Sequence, residues 1–170
     1  MSHSLTLAYL NDCDRQEFID NLAGIFEHSS WVAEQVADLR PFESVDSLHR
    51  AMFTVVQQSP DKAQLKLIRE HPELAGKEAE TGQLTEESTR EQRGAGLDQC
   101  TAQELQQLRD LNQAYRQRFG FPFVIAVTGL NRHDILQHLQ QRLANEPKQE
   151  QQTSIQQIGR IAAIRLQQLI

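Results

Sequence analysis

Apolar residues recur every three or four positions along most of the chain, the period of helices that each bury one stripe. Phe18, Leu22, Ile25 and Phe26 carry this pattern from Asp14 to about His28. Ser30 is placed to cap a short helix through Val32, Val36 and Leu39, which Pro41 stops from beyond its end. Val45, Leu48, Met52, Val55 and Val56 form a third stripe. Ser59-Pro60 then reads as an N-cap with proline in the first helical position, opening a helix through Leu67 and Ile68. Pro72 biases His71 away from helical backbone, which puts His71 at a helix C-terminus, where the last carbonyls favour a protonated ring.

The stretch from Gly76 to Gly82 reads as a loop. Thr85, followed by Glu86 and Glu87, caps a short helix that ends near Gly94 or Gly96. Thr101 and Glu104 form a capping box for a long helix with Leu105, Leu108, Asn112, Tyr115 and Phe119 on one face and Gly120 after it. Ile135, Leu136, Leu139 and Leu143 mark a helix from Asn131 to about Leu143. A polar stretch from Asn145 to Thr153 leads into the last helix, with Ile155, Ile158, Ile161, Ala162 and Leu169 inward. Phe121 to Val127 is the one strand-like segment. It has no partner strand, so it reads as an extended buried connection. The predicted fold is all-α, a single-domain helical bundle of about eight helices spanning residues 1–170.

Composition narrows the partners. Charged residues at 24% and apolar residues at 39% describe a globular chain rather than a disordered one. A formal charge of −6, with no Lys/Arg block, argues against nucleic acid as the main partner. The longest apolar run, Phe121 to Leu130, is too short to span a bilayer, and no secretory signal opens the chain. Cys13 and Cys100 are isolated thiols, in keeping with a reducing cytoplasm. Gln168-Leu169-Ile170 is not a peroxisomal tripeptide, so a cytoplasmic location is expected.

Candidate chemistry centres on His71-Pro72 and the cluster Ser88-Thr89-Arg90-Glu91-Gln92. Ser88, Glu91 and Gln92 share one helical face, and an imidazole with a carboxylate is the raw material of proton transfer. Taken alone, such a trio is more often a solvated polar face. Arg165 lies four residues after Ile161 and four before Leu169, on or beside the inward stripe, so it needs an anionic partner. An internal salt bridge, to Glu91 for instance, and a clamp on a substrate carboxylate both answer that need, and the residues alone leave both open. Phe123, Val124, Ile125, Ala126 and Val127 pack a core, yet their extended backbone also offers N–H and C=O groups suited to ureido and imide groups. His133 and His138 have the wrong spacing for two ligands on one face, and His3, His28 and His49 are scattered, so no metal site is expected. Nucleotide, dinucleotide, serine-hydrolase and CxxC motifs are missing.

The motifs taken together carry a resemblance. His71-Pro72-Glu73-Leu74-Ala75-Gly76-Lys77, then Leu84-Thr85-x-x-Ser88-x-x-Glu91-Gln92-x-x-Ala95-Gly96-Leu97, resembles the signature of the OHCU decarboxylases of ureide metabolism. Tyr115-x-x-x-Phe119-Gly120-Phe121-Pro122-Phe123-Val124-Ile125 and Ile158-x-x-Ile161-Ala162-x-x-Arg165-Leu166 match in the same order. The N-terminal third matches mainly in its helical pattern. The resemblance implies one all-helical domain over the whole chain. It implies a cofactor-independent carboxy-lyase acting on a small ureidoimidazoline in urate and purine catabolism, with no metal. It makes His71 the catalytic acid/base, with Glu91 and Arg165 beside it. Pro72, Ser88 to Gln92 and Phe123 to Val127 line the substrate site, and a homodimer suits the family. The competing expectations are a non-catalytic helical interaction module and a hydrolase of a related ureide.

Overall fold

Side-chain oxygens start most of the helices. In the computed structural model, which describes residues 5–170 and so leaves His3 outside them, Thr6 accepts the Tyr9 N–H and begins α1 (Leu7–Asp12). Asp14 accepts the Glu17 N–H and begins α2 (Arg15–Leu22). The Ser44–Ser47 pair forms a reciprocal box at the start of α4 (Val45–Gln58). Thr85 does the same work for α7 (Glu86–Gly94), Thr101 with Glu104 for α8 (Ala102–Phe119), and Asn131 with Asp134 for α9 (Arg132–Arg142). Each such cap satisfies backbone donors that the first turn leaves orphaned, and is worth ~1 kcal/mol. The remaining helices are α3 (Trp31–Val36), α5 (Asp61–Arg69), α6 (Lys77–Glu80) and α10 (Pro147–Leu169).

Ten α-helices and no strand among the described residues make an all-α chain, with Phe121 to Val127 as its buried connection. Two helices exceed the eight that the pattern predicts. α1 and α6 have six and four residues, too short for an apolar period to show. The segment from Gly76 to Gly82 is therefore not all loop. Several boundaries also move. α2 ends at Leu22 instead of near His28, and Ile25 and Phe26 are buried from the turns beyond it. Ser30 precedes α3 in helical backbone and makes no side-chain cap, so α3 starts without one. Leu39 falls in a 3-10 turn and is 58% exposed, off the buried stripe. Ser59 caps nothing ahead of it, because its hydroxyl donates back to the Val56 carbonyl at 2.6 Å and closes α4, while Pro60 stands just outside α5.

The largest revision concerns Asn145 to Thr153. This stretch is mostly helix, because Pro147 opens α10 at the position where a missing N–H costs nothing and good helix formers follow. Glu150, on that supposed linker, and Ser154 just after it are fully buried. Arg142 is buried at the end of α9, whereas Leu143 is only half-buried.

The chain gathers into two compact units, one of residues up to Glu70 with Ile158–Ile170, the other His71–Gln157. In the first, Leu10, Phe18, Leu22, Leu48, Met52, Leu67 and Leu166 are at most 1% exposed and form its core. Arg40 ties this unit's start together, donating to the carbonyls of Leu10, Cys13 and Ala37 while lying over the Phe18 ring. In the second, Tyr115 stands in an aromatic cluster with Phe119, Phe121 and Phe123, at centroid distances of 4.6 to 5.9 Å. Gly120, at φ +79°, ends α8 in left-handed backbone and lets the chain turn into that cluster. No helix among the described residues is long and apolar enough to cross a membrane.

Candidate active site

His71 follows the C-terminus of α5 and is 7% exposed. The loop that carries it is held by side chains of two helices in the second unit. Gln92 of α7 accepts the Ala75 N–H on Oε1 at 2.9 Å, and its amide nitrogen reaches the Glu73 carbonyl at 3.5 Å. Asn112 of α8 donates to the Leu74 carbonyl at 3.1 Å. Ala75 sits at φ +52°, a backbone state that costs an alanine about 1 kcal/mol, so the Gln92 bond holds it there. At Gly76 a Cβ would stand 2.8 Å from the Glu73 Cβ, and glycine alone fits the turn. Glu73 is ion-paired with Arg116 of α8. Burial pushes its carboxyl above the ordinary range, Arg116 opposes that rise and Glu78 adds to it.

The cluster on α7 divides by face. Ser88 and Gln92 are buried, Thr89 and Glu91 half-buried, and Arg90 exposed. A merely solvated face would expose Ser88 and Gln92 as well. The Thr89 hydroxyl donates to the Thr85 carbonyl at 2.8 Å within its own helix. Thr89 and Gln92 also border a cavity of about 390 Å³ with Ala75, Leu97, Leu105 and Arg109, and neither His71 nor Glu91 lines it.

Phe123 to Val127 are all buried and make no ladder. Two of their backbone groups are taken by side chains. Arg142 Nη1 donates to the Val124 carbonyl at 2.6 Å, and Gln157 Oε1 accepts the Ala126 N–H at 3.0 Å. Arg142 is itself fixed by Glu150 at 2.6 Å, by Ser154 at 3.2 Å and by the face of Phe123 at 4.5 Å. Glu150 also accepts from the Tyr115 hydroxyl at 2.5 Å and from Asn145 at 2.9 Å. Burial first, then the bond to Glu150, raises the Tyr115 phenol above its ordinary pKa, so it stays a donor. Charges this deep persist only when every partner is present.

Arg165 belongs to the first unit, where it is 3% exposed. Its Nη1 lies 2.9 Å from Glu27 Oε2 and donates to the Gly24 carbonyl at 2.9 Å. The anionic partner that a buried guanidinium requires is thus Glu27, itself 1% exposed, in the turns after α2. His71, Pro72, Ser88 to Gln92 and Phe123 to Val127 all lie in the second unit.

The sequence reading missed Glu27, Arg142, Glu150 and Gln157. For Glu150 and Ser154 a signal existed, since the inward stripe of α10 at Ile158 continues backward at four-residue steps onto Ser154 and Glu150. Glu27 had none, because its burial depends on a turn. Among the described residues no three His, Cys, Asp or Glu side chains gather as metal donors would.

A profile of the OHCU decarboxylases matches residues 11–167. The uric acid degradation bifunctional protein PucL of Bacillus subtilis (strain 168) is 44% identical over 165 residues, covering 97% of this chain and 33% of that protein. The 2-oxo-4-hydroxy-4-carboxy-5-ureidoimidazoline decarboxylase of Haloferax volcanii is 38% identical over 164 residues, covering 96% of this chain and 95% of that one. The chain thus spans about a third of the length of PucL and nearly all of the Haloferax protein. In three dimensions it is similar to a crystal structure of (S)-allantoin synthase, with a TM-score of 0.80 and 30% identity over 98% of this chain and 54% of that one.

Proposed function

The chain belongs to the OHCU decarboxylase family, and from that premise we propose that it decarboxylates 2-oxo-4-hydroxy-4-carboxy-5-ureidoimidazoline to (S)-allantoin in urate degradation. The observation that carries this reading is His71, buried directly after α5 on a loop whose backbone Gln92 and Asn112 hold in place. A proton carrier for a single small substrate has to be fixed in this way.

The substrate supplies its own electron sink, which is why no cofactor is called for. Its carboxylate-bearing carbon adjoins a C=N bond, as in a β-imino acid. When the bond to CO2 breaks, its electron pair forms a C=C bond and the imine electrons pass to nitrogen, which takes a proton. The planar enol then gains a proton on the neighbouring ring carbon while its hydroxyl loses one and becomes a carbonyl. Delivery of that proton to one face sets the S configuration. In this proposal His71 exchanges the proton with the hydroxyl or the ring carbon, and Glu91 orients the imidazole or the ureido group. Pro72, Ser88, Thr89, Arg90, Gln92 and Phe123 to Val127 line the substrate. Arg165, already paired with Glu27, holds the anion. A grip on the departing carboxylate as tight as on the intermediate would slow the reaction, so Arg165 serves best by binding groups that stay behind. The reading takes residues 1–170 as one catalytic domain, cytoplasmic and homodimeric.

Freshly generated substrate tests it. The protein should release CO2 and yield a single enantiomer of allantoin, measured by circular dichroism. A racemate formed at the spontaneous rate, or ammonia or urea without CO2, overturns it.

A further inference from the structure

α8 meets the loop that carries His71 with two side chains one turn apart. Asn112, 3% exposed, donates to the Leu74 carbonyl at 3.1 Å, and Arg116 is ion-paired through Nε with Glu73. Positions i and i+4 share a helical face, so this face grips two consecutive loop residues, one by its backbone and one by its carboxylate. The Leu74 contact is a neutral hydrogen bond. The Glu73 contact sets charge against charge: Oε1 is buried from water and, among the described residues, accepts no hydrogen bond, so the Arg116 guanidinium balances it.

Glu73 stands two residues after His71, and little freedom lies between them. Pro72 fixes its own φ at about −65° and biases His71 away from helical backbone. Whatever holds Glu73 therefore also holds the imidazole. We propose that Arg116 and Glu73 are positioning residues for His71, and that their ion pair, beside the Asn112 bond, seats the loop on α8 with the imidazole in one place. The proposal rests on the decarboxylase reading and deepens it, because it says what holds the acid/base of that site. The Arg116 side chain is 54% exposed, and an ion pair with so exposed a cation adds little stability. Its effect is on place. Without the guanidinium, the Glu73 carboxylate, whose charge burial already disfavours, takes a proton or turns to water, and the seat is lost. Glu78 of α6 adds like charge that favours the same release.

Arg116→Met removes the cation from an exposed side chain, and Glu73→Gln removes the opposite charge at the same length. Each is expected to lower kcat by about ten- to hundredfold with KM changed less than about threefold, the pattern of a displaced acid/base. The melting temperature of Arg116→Met should move by less than about 4 °C. The double variant should lose no more than either single one, because the pair acts as a unit. Arg116→Lys, whose nitrogen falls one bond beyond the place of Nε, should bring kcat to within about threefold of the wild-type value. A second readout needs no turnover. In protein carrying 13Cε1-histidine, the His71 ring signal, assigned by its loss in His71→Gln, should move in Arg116→Met and in Glu73→Gln and return in Arg116→Lys. An unchanged kcat in Arg116→Met, losses that multiply in the double variant, or an unmoved His71 signal overturns the inference and leaves the decarboxylase reading standing. If wild-type protein does not turn over the substrate, that reading falls, and the His71 signal alone decides the inference.

Discussion

Gln92 Oε1 accepts the backbone N–H of Ala75 at 2.9 Å and so joins the polar face of α7 to the loop that follows His71. The bond holds an alanine in left-handed backbone, and its loss would release the strain by letting the loop relax. Gln92→Leu should lower turnover by on the order of a hundredfold through a displaced loop, and stability by ~1–3 kcal/mol through an unpaired buried N–H. Steady-state kinetics and urea denaturation of the same variant separate the two effects. Full activity would mean that the loop is held without Gln92.

Removal of the imidazole should be chemical in its effect. His71→Ala is expected to cut kcat by ~10²–10⁴-fold, the range for one general acid/base, with helical circular dichroism unchanged. Turnover at the wild-type rate would take His71 out of the mechanism.

Glu27 and Arg165 form an ion pair from which water is excluded, at 1% and 3% exposure. Glu27→Ala deprives a buried guanidinium of this carboxylate and should cost ~3–5 kcal/mol of stability, seen as a lower urea midpoint. Glu27→Gln keeps the shape and an acceptor, and should cost less. Equal midpoints for wild type and Glu27→Ala would contradict the pairing.

The acid limb of stability should owe part of its slope to Glu104. The bond from the Thr101 N–H, and then the Arg132 guanidinium, hold its carboxyl down at about 2 against an ordinary 4.5. A depressed carboxyl stabilises the fold above its unfolded pKa, and the contribution fades as pH falls from 4.5 toward 2. Glu104→Gln can still cap but carries no charge. Its melting temperature should lie below that of wild type at pH 6, and the two curves should converge near pH 2. Parallel curves over that range would rule out the linkage.

Gly159 lies inside α10, where alanine would ordinarily gain ~1 kcal/mol. Here an added Cβ meets the Phe53 ring at 2.5 to 2.9 Å, and the Gly159 carbonyl is bonded by His49 at 2.8 Å. Gly159→Ala should therefore destabilise by ~1–3 kcal/mol through overpacking, read as a lower melting temperature. A rise would show that Phe53 moves aside at no cost.

From the residues alone came the all-helical class, the caps at Thr85 and Thr101, the buried connection from Phe121 to Val127, and the family motifs around His71 and Ser88 to Gln92. These are local properties: a period, a cap and a terminator each act within a few residues, so one dimension records them. Tertiary structure alone decided that Glu27 faces Arg165, that Arg142 is buried against Glu150, and that Gln92 reaches back to Ala75. Those partners lie beyond one another's helical turn in the chain, and a charged residue reads as solvent-facing until its counter-charge is known. Burial of a charge is a property of the pair, and the pair exists only once the helices have packed.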